Sequence, residues 1–349
     1  MTILITGGAG FVASHLAQRL LEATSASLVL LDNFNDYYDP TLKRQNIREL
    51  SRHPRVTVEE ADFCDQTVCH SIFKTYHPRH VIHLGASPGV PASLQDPLLY
   101  VRNNVDGTTA LLEAARRCPL ERFLFASSST VYGLGTEPPF REDKPLGVAA
   151  SPYGATKQAA ELMGFTYHRL YGLPFTSLRL FNVYGPRLRP DLALHIFTRK
   201  ILEGEPLDLY GDGTVLRDFT HVDDICNGFL AALKAPEVAG EAVNLGHNEP
   251  IAVSHLIELI ERFAGQQAVI NRHPPRAGDM PLTCADLSKA GRLLGYRPQV
   301  SIEDGVAQYV EWFRREQART LSSASPEQAS GYAYADVEPN VKKAGGISA

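Results

Sequence analysis

Tyr153 and Lys157 stand four residues apart in Ser151-Pro152-Tyr153-Gly154-Ala155-Thr156-Lys157. On a helix that spacing puts both side chains on one face. An ammonium close to a phenol stabilises the phenolate, so a weak acid becomes a base usable near neutral pH. Chance supplies such a pair in many helices, and two other segments give this one meaning. Gly7-Gly8-Ala9-Gly10-Phe11-Val12-Ala13 follows an apolar run and opens a helical pattern. Phe125-Ala126-Ser127-Ser128-Ser129-Thr130 ends a second apolar run in consecutive hydroxyls, which a core would waste and a loop would tolerate. Together the three segments suit reversible oxidation of an alcohol beside a nicotinamide. In that reading Ser128 positions the hydroxyl and Tyr153 exchanges its proton.

The glycine loop is the candidate cofactor cradle. Its glycines allow a tight turn and let the backbone approach a pyrophosphate at a helix N-terminus. Two registers fit, Gly7/Gly10/Ala13 and Gly8/Gly10/Ala13. The next apolar run ends in Leu30-Leu31-Asp32, about 20 residues past the loop, where an acid can hold a ribose 2′-hydroxyl. A carboxylate there repels a 2′-phosphate, which favours NAD over NADP. Asp62-Phe63 stands where it can meet the adenine edge, although Asp62 fits a helix N-cap equally well. Small residues in Leu84-Gly85-Ala86-Ser87 would let the cofactor lie against backbone. Asn104 falls inside a helical pattern, where asparagine is a poor helix former, so a polar role is expected of it.

These residues need elements to hold them. Strand candidates are Thr2–Thr6, Leu28–Asp32, Val56–Asp62, His80–Ala86, Arg122–Ser128 and Phe175–Leu180, apolar on both faces as a buried parallel sheet requires. Helical patterns between them include Phe11–Glu22, Pro97–Arg117 and Tyr153–Tyr171. The alternation predicts an α/β fold with a Rossmann-like, doubly wound parallel sheet. After Gly185 the rhythm breaks. Leu209-Tyr210-Gly211-Asp212-Gly213-Thr214 reads as a turn, and helical patterns run over Val253–Phe263 and Ile302–Arg315. The expected organisation is therefore a nucleotide-binding domain over residues 1–185, with later segments interleaved. Residues 186–318 would form a smaller mixed α/β substrate-binding lobe closing over the sheet's carboxyl edge. From 319 to 349 Ser, Ala, Gly and Pro dominate, which predicts a disordered tail.

The chain has 349 residues and a net charge of −5. Charges of both signs mix along it, leaving no basic footprint for nucleic acid or acidic membrane. The five cysteines are scattered, with no C-x-x-C pair, so neither a metal site nor a disulfide framework is expected. No run approaches the roughly 20 apolar residues of a membrane span. Thr2–Thr6 already reads as a strand, so no leader peptide is expected. A cytoplasmic protein is the resulting expectation.

The chain resembles the extended short-chain dehydrogenases/reductases and, within them, the nucleotide-sugar 4-epimerases. Besides the segments above, the resemblance rests on Asn104-Val105-x-Gly107-Thr108, Phe181-Asn182-Val183-Tyr184-Gly185-Pro186, Arg217-Asp218-Phe219-x-His221-Val222-Asp223-Asp224 and Gly278-Asp279, all in family order. Asp32-Asn33-Phe34-Asn35-Asp36-Tyr37-Tyr38-Asp39-Pro40 and Arg189-Pro190-Asp191-Leu192-Ala193 look like the UDP-glucuronate branch. The resemblance implies cofactor contacts from Phe11, Val12, Asn33, Leu84, Ala86, Asn104, Ser127 and Phe181. It implies a catalytic set of Ser128, Thr130, Tyr153 and Lys157. Substrate contacts would come from Ser129, Asn182, Arg189 and Leu192. Arg217 and Arg276 would clamp the diphosphate, Asp279 the uridine ribose, and Tyr210 would pack on uracil. The family's epimerases oxidise C4 with a tightly held NAD, turn the keto sugar, and return hydride to its other face. A homodimer through Pro97–Arg117 and Tyr153–Tyr171 is also implied.

Departures from the family pattern bear on the substrate. Dehydratases carry Asp and Glu where this chain has Ser129 and Thr130, and decarboxylases a Glu at the latter position. Both activities are disfavoured. The glucuronate branch usually has threonine at Asn182 and arginine at Pro91, whereas plain UDP-hexose epimerases have asparagine at the former. Arg189 remains as a partner for a sugar carboxylate, with Ser127, Ser128 and Thr130 as further donors. UDP-glucuronate is thus the expected substrate, with UDP-glucose or UDP-N-acetylglucosamine as the alternative. A non-catalytic NAD-binding scaffold or sensor is the alternative from another class; an intact Ser128, Tyr153 and Lys157 opposes it.

Overall fold

A computed structural model describes residues 1–275 and 280–323 of the chain. Seven parallel strands form the central sheet: β1 (Thr2–Thr6), β2 (Ser27–Asp32), β3 (Val56–Glu60), β4 (His80–His83), β5 (Arg122–Ser128), β6 (Phe175–Leu180) and β7 (Ala242–Leu245). Their order across the sheet is β3-β2-β1-β4-β5-β6-β7. The order reverses between β1 and β4, and such a switch point opens a crevice at the strands' carboxyl ends. In register Ile3 of β1 faces Leu28 of β2 on one side and His80 of β4 on the other. Ile3, Leu4 and Ile5 are fully buried, which explains why β1 is apolar at successive positions rather than at alternate ones.

Helices cover both faces. Phe11–Ala23 follows β1 directly and packs on Val222–Lys234 from the second half of the chain. Pro152–Tyr171 lies against β5 and β6. Its start is fixed locally: Ser151 Oγ accepts from Gly154 N at 3.1 Å, and Pro152 sits at the first helical position. The predicted helix over Pro97–Arg117 is interrupted. Pro97–Tyr100 leads into a wide π-type turn over Val101–Asp106, and a regular helix resumes over Gly107–Ala115. Asn104 causes the detour to be worthwhile, for its amide accepts from Ser87 N at 2.7 Å and donates to Ser87 O and Thr156 Oγ1, each at 3.0 Å.

Beyond β6 the chain builds three small two-stranded ladders. Val183–Tyr184 pairs with Thr220–His221, Leu216–Arg217 with Ile251–Ala252, and Pro206–Tyr210 with Val269–His273. Tyr210 therefore ends a strand, and the predicted turn begins only at Gly211. Helices Ala193–Glu203, Val253–Ala264 and Ile302–Ser323 back these ladders. The last helix continues past Arg319, where a disordered tail is predicted to begin; the remainder of that tail lies outside the described residues. One apolar cluster runs from Ile3 in β1 through Phe229 to Phe313, so the later segments share the core of the sheet. No helix among the described residues is long and apolar enough to cross a membrane.

Candidate active site

A cavity of about 650 Å³ opens at the carboxyl ends of the strands. At one end it is lined by Gly7, Gly10, Phe11, Val12, Asp32, Asn33, Asp62, Phe63, Leu84 and Ala86. Ser127, Ser128, Ser129, Thr130, Tyr153, Lys157, Asn182 and Arg189 form its middle, and Leu192, Tyr210 and Arg217 its far end. The glycine loop, the serine cluster and the Tyr153/Lys157 pair, the first more than 100 residues from the other two, thus meet on one cavity, as the residue types predict.

The cradle end is built from backbone. Gly7 has φ +63°, and a Cβ there would come within 2.9 Å of Gly85 Cα, so the turn needs glycine twice over. Helix Phe11–Ala23 begins at Gly10 with no side chain capping its first N–H groups. The residues of that first turn, Gly10, Phe11, Val12 and Ala13, line the cavity, as an anion site requires. Asp32 is buried, its Oδ2 accepting from Ala9 N at 3.1 Å and its Oδ1 from Phe34 N at 2.9 Å. Lys43 Nζ stands 3.8 Å from Oδ1 and donates to Asn35 Oδ1 at 2.8 Å. Ser127 Oγ is buried against the cavity with no protein partner. An open helix N-terminus, an oriented acid and an orphaned hydroxyl along one trough fit a dinucleotide.

In the middle, Lys157 is 3% exposed and donates to Ala126 O at 2.7 Å. Burial pulls its ammonium down to about 7, against the opposing pull of Glu161. Burial pushes the Tyr153 phenol up, while a hydrogen bond with Ser128 and the charge of Arg189 draw it back. The sequence assigns the phenolate's stabilisation to Lys157. Here the lysine turns to a carbonyl, and Ser128 is the phenol's hydrogen-bond partner. Ser128 Oγ accepts from Thr130 N at 3.2 Å and Thr130 Oγ1 at 2.9 Å, which leaves its own proton to donate toward the cavity.

At the far end Tyr210 is 39% exposed and stacks on His273 with ring centroids 5.1 Å apart. His273 Nε2 lies 2.7 Å from Asp208 Oδ1, which steadies the platform. Arg217 Nη1 donates to Leu216 O and Met280 O. Arg189 makes a bidentate ion pair with Asp191.

Two expected cofactor contacts do not line the cavity. Phe181 is fully buried against Tyr132 and Phe140, because the aromatic ring turns into the core after β6. Asn104 is 1% exposed and bonded to Ser87 and Thr156, so it braces the wall rather than facing the cavity; Asn103 lines it instead. Arg276 and Asp279 lie outside the described residues. Sequence reasoning missed individual roles for Tyr37, Lys43 and Asp191, all of which line the cavity. For Tyr37 and Asp191 the signal available was their place in the two stretches that carry the resemblance; Lys43 lies outside both. Among the described residues no three His, Cys, Asp or Glu side chains gather as metal ligands.

The sequence profile of the NAD dependent epimerase/dehydratase family matches residues 3–246. A UDP-glucuronate 4-epimerase of Thermodesulfobacterium geofontis is 41% identical over 313 residues, spanning 88% of this chain and 95% of that protein. The crystal structure of UDP-glucuronic acid 4-epimerase from Bacillus cereus, in complex with UDP-glucuronic acid and NAD, has a TM-score of 0.86 at 37% identity. That match covers 90% of this chain and 100% of the other. UDP-glucose 4-epimerase from Thermotoga maritima, with UDP-glucose, has a TM-score of 0.83 at 31% identity, covering 91% of this chain and 100% of that one. A glycine cradle and a Ser–Tyr–Lys set on one cavity, in a chain this similar to known epimerases, place it in the NAD dependent epimerase/dehydratase family.

Proposed function

We propose that this chain is an NAD-dependent UDP-sugar 4-epimerase that converts UDP-glucuronate to UDP-galacturonate. The observation that carries the substrate is Arg189, whose guanidinium lines the same cavity as Tyr153 and acts on its phenol by charge. A fixed guanidinium suits a sugar carboxylate, and no neutral hexose needs one there. Relatives on both sides of the sequence and structure comparisons are enzymes of that name.

Bound NAD would supply the hydride acceptor and the positive ring beside the sugar. Gly7, Gly10, Asp32, Asp62 and Ser127 would hold it, with Phe63 against the adenine. Tyr153 takes the proton of the sugar O4 and gives it back, and Ser128 donates a hydrogen bond to the same oxygen. Lys157, whose ammonium burial brings down to about 7, supplies positive charge beside that exchange in its protonated form. Arg217 and Arg276 grip the diphosphate, while Asp279 and Tyr210 hold the uridine. The keto sugar turns about that anchored diphosphate and presents its other face. Thr130, Ser129 and Asn182 line the path of the turning ring. The first 185 residues with β7 form the cofactor half, and residues 186–318 supply most of the substrate half. Five free cysteines fit a reducing cytoplasm.

One feature favours a second reading. Asn182 and Pro91 both line the cavity where the glucuronate branch has threonine and arginine, and asparagine at the former is the neutral-hexose pattern. The test separates the two. Purified protein is incubated with UDP-glucuronate, UDP-glucose or UDP-N-acetylglucosamine, and products are read by NMR. C4 inversion of UDP-glucuronate is expected, and Tyr153→Phe should lower turnover by about 10²–10⁴-fold. Inversion of UDP-glucose alone would transfer the assignment to the second reading. No inversion in any of the three would sink both.

A further inference from the structure

We infer that Asp191, held in place by Tyr37, is a positioning residue that shares Arg189 with the sugar carboxylate and keeps that grip weak enough for the ring to turn. The inference rests on the proposed reading of Arg189 as the carboxylate's partner. It assigns roles to two cavity-lining residues outside the Ser–Tyr–Lys set.

Asp191 takes two of the guanidinium's three nitrogens. Nε donates to Oδ1 and Nη2 to Oδ2, each at 2.9 Å. Nη1 makes no hydrogen bond to protein among the described residues, and the side chain lines the cavity. The two side chains are only 20% and 21% exposed, so the pair is poorly screened by water. Tyr37 OH, from a segment 154 residues away, donates to Asp191 Oδ2 at 3.2 Å, and its ring lies 6.0 Å from the guanidinium carbon. Burial and Asp191 push the Tyr37 phenol up to about 12, which keeps it a donor across the neutral range. The loop beside this trio approaches it so closely that its nearest residue has to be glycine. Gly89 has φ +92°, and a Cβ there would come 2.9 Å from Tyr37 OH and 3.9 Å from Asp191 Oδ2.

The chemistry explains why an arginine meant for a carboxylate should already hold one. C4 inversion needs the sugar in two poses, with opposite faces turned to the same hydride acceptor. A buried guanidinium with no counter-charge would bind the carboxylate tightly in one pose, and tight ground-state binding raises the barrier to leaving it. Asp191 makes the arginine half of a neutral pair, so the incoming carboxylate meets donors at Nη1 but little net charge. The bidentate contact also fixes the fork's direction, so little side-chain entropy is lost when the sugar arrives. Tyr37 draws on Oδ2 and moderates Asp191 in turn.

The test is calorimetric binding of UDP-glucuronate and UDP-glucose to the NAD-loaded wild type, Asp191→Asn and Tyr37→Phe, with turnover measured alongside. Asparagine keeps the shape and one acceptor but removes the charge. Asp191→Asn should bind UDP-glucuronate about fivefold or more tightly, with UDP-glucose affinity unchanged within about twofold. Its kcat on UDP-glucuronate should fall while KM falls too. Tyr37→Phe should shift the affinity ratio the other way, because Asp191 then holds Arg189 more firmly. A merely structural role for Asp191 would weaken both ligands together. That result, or an unchanged ratio in Asp191→Asn, overturns the inference. Failure of the proposed function is separately visible: the wild type would bind both sugars without inverting either, and the ratio would still report on Asp191.

Discussion

Lys157 carries an energetic cost that its position explains. Its ammonium is buried among Ala126 and the Phe125 ring, 4.7 Å away, and burial holds it near 7 against an ordinary 10.5. Between those values the unfolded chain binds a proton that the folded chain does not, so stability rises with pH across that window. Below about pH 7 the full cost is present, and above 10.5 it is gone. Lys157→Met should therefore stabilise the nucleotide-free protein at the acid end of the window, even though turnover is lost. The gross effect is roughly 2–5 kcal/mol, less about 1–3 kcal/mol for the Ala126 carbonyl left without its donor. Thermal melts of both proteins across pH should show the variant's advantage shrinking as pH rises. A stability difference between variant and wild type that does not change in the variant's disfavour as pH rises would refute the argument. At this scale the meeting of Ser128, Tyr153 and Lys157 on one cavity was legible in the sequence, because phenol, lysine and hydroxyl at such spacings have few other uses together. It hid the role of Asp191, because a carboxylate two residues past an arginine reads as an ordinary surface pair until the fold buries both. Phe181 and Asn104 show a related effect: a segment can reach the cavity while a given side chain turns away from it.

The helix Pro152–Tyr171 is seated by an absent side chain. A Cβ on Gly164 would lie 2.1 Å from Phe175 Cζ, and that ring is fully buried. Phe123, Phe125 and Phe165 surround it at centroid distances of 5.7, 5.8 and 5.3 Å, so it has nowhere to rotate. Gly164→Val must lift the helix off the sheet, and with it Tyr153 and Lys157 on earlier turns. Overpacking of this kind costs about 1–3 kcal/mol, which urea denaturation would read as a lower midpoint. Turnover should fall by more than UDP-sugar affinity does, since Arg217, proposed above for the diphosphate, lies on another element. Equal loss of both, or an unchanged midpoint, would contradict the account. Elements of this helix's kind were legible in sequence, and so were the buried strands. β1, β5 and β6 have the predicted bounds; Ile3–Ile5 and Phe123–Ala126 are buried apolar runs, while β6 also buries Thr176, Ser177 and Arg179, the last paired with Glu161. β4 stops at His83, three residues short, because Leu84-Gly85-Ala86 leaves the sheet to line the cavity. The seventh strand went unseen: Ala242–Leu245 is four residues long and includes Asn244, whose amide bonds are all tertiary. The π-type turn was equally invisible, since the partners that favour it, Ser87 and Thr156, come from elsewhere in the chain.

Over the whole molecule, exposed apolar side chains are concentrated rather than scattered. Of the 14 large apolar side chains exposed among the described residues, eight lie in two stretches, Val90–Val101 and Leu162–Tyr171. The stretches adjoin, because the short helices at the first pack against Pro152–Tyr171. Leu98 is 78% exposed, Leu162 67%, Leu170 65% and Leu94 64%. A contiguous apolar face of this kind is costly in water, at about 25 cal/mol for each Å² left uncovered. A second copy related by a two-fold axis would cover it with the same face, and cyclic dimers are the commonest closed assembly. We therefore expect the protein to sediment as a dimer at twice the 38.3 kDa chain mass. Leu98→Glu combined with Leu170→Glu places carboxylates on that face and should yield a folded monomer, because both positions are already exposed in the single chain. The catalytic helix is itself part of the face, so the monomer should also turn over more slowly while its UDP-sugar affinity changes little. Sedimentation velocity and a turnover assay on one preparation decide it. A wild-type monomer at micromolar concentration, or a double variant that still sediments as a dimer, would show that this face is not where two copies meet.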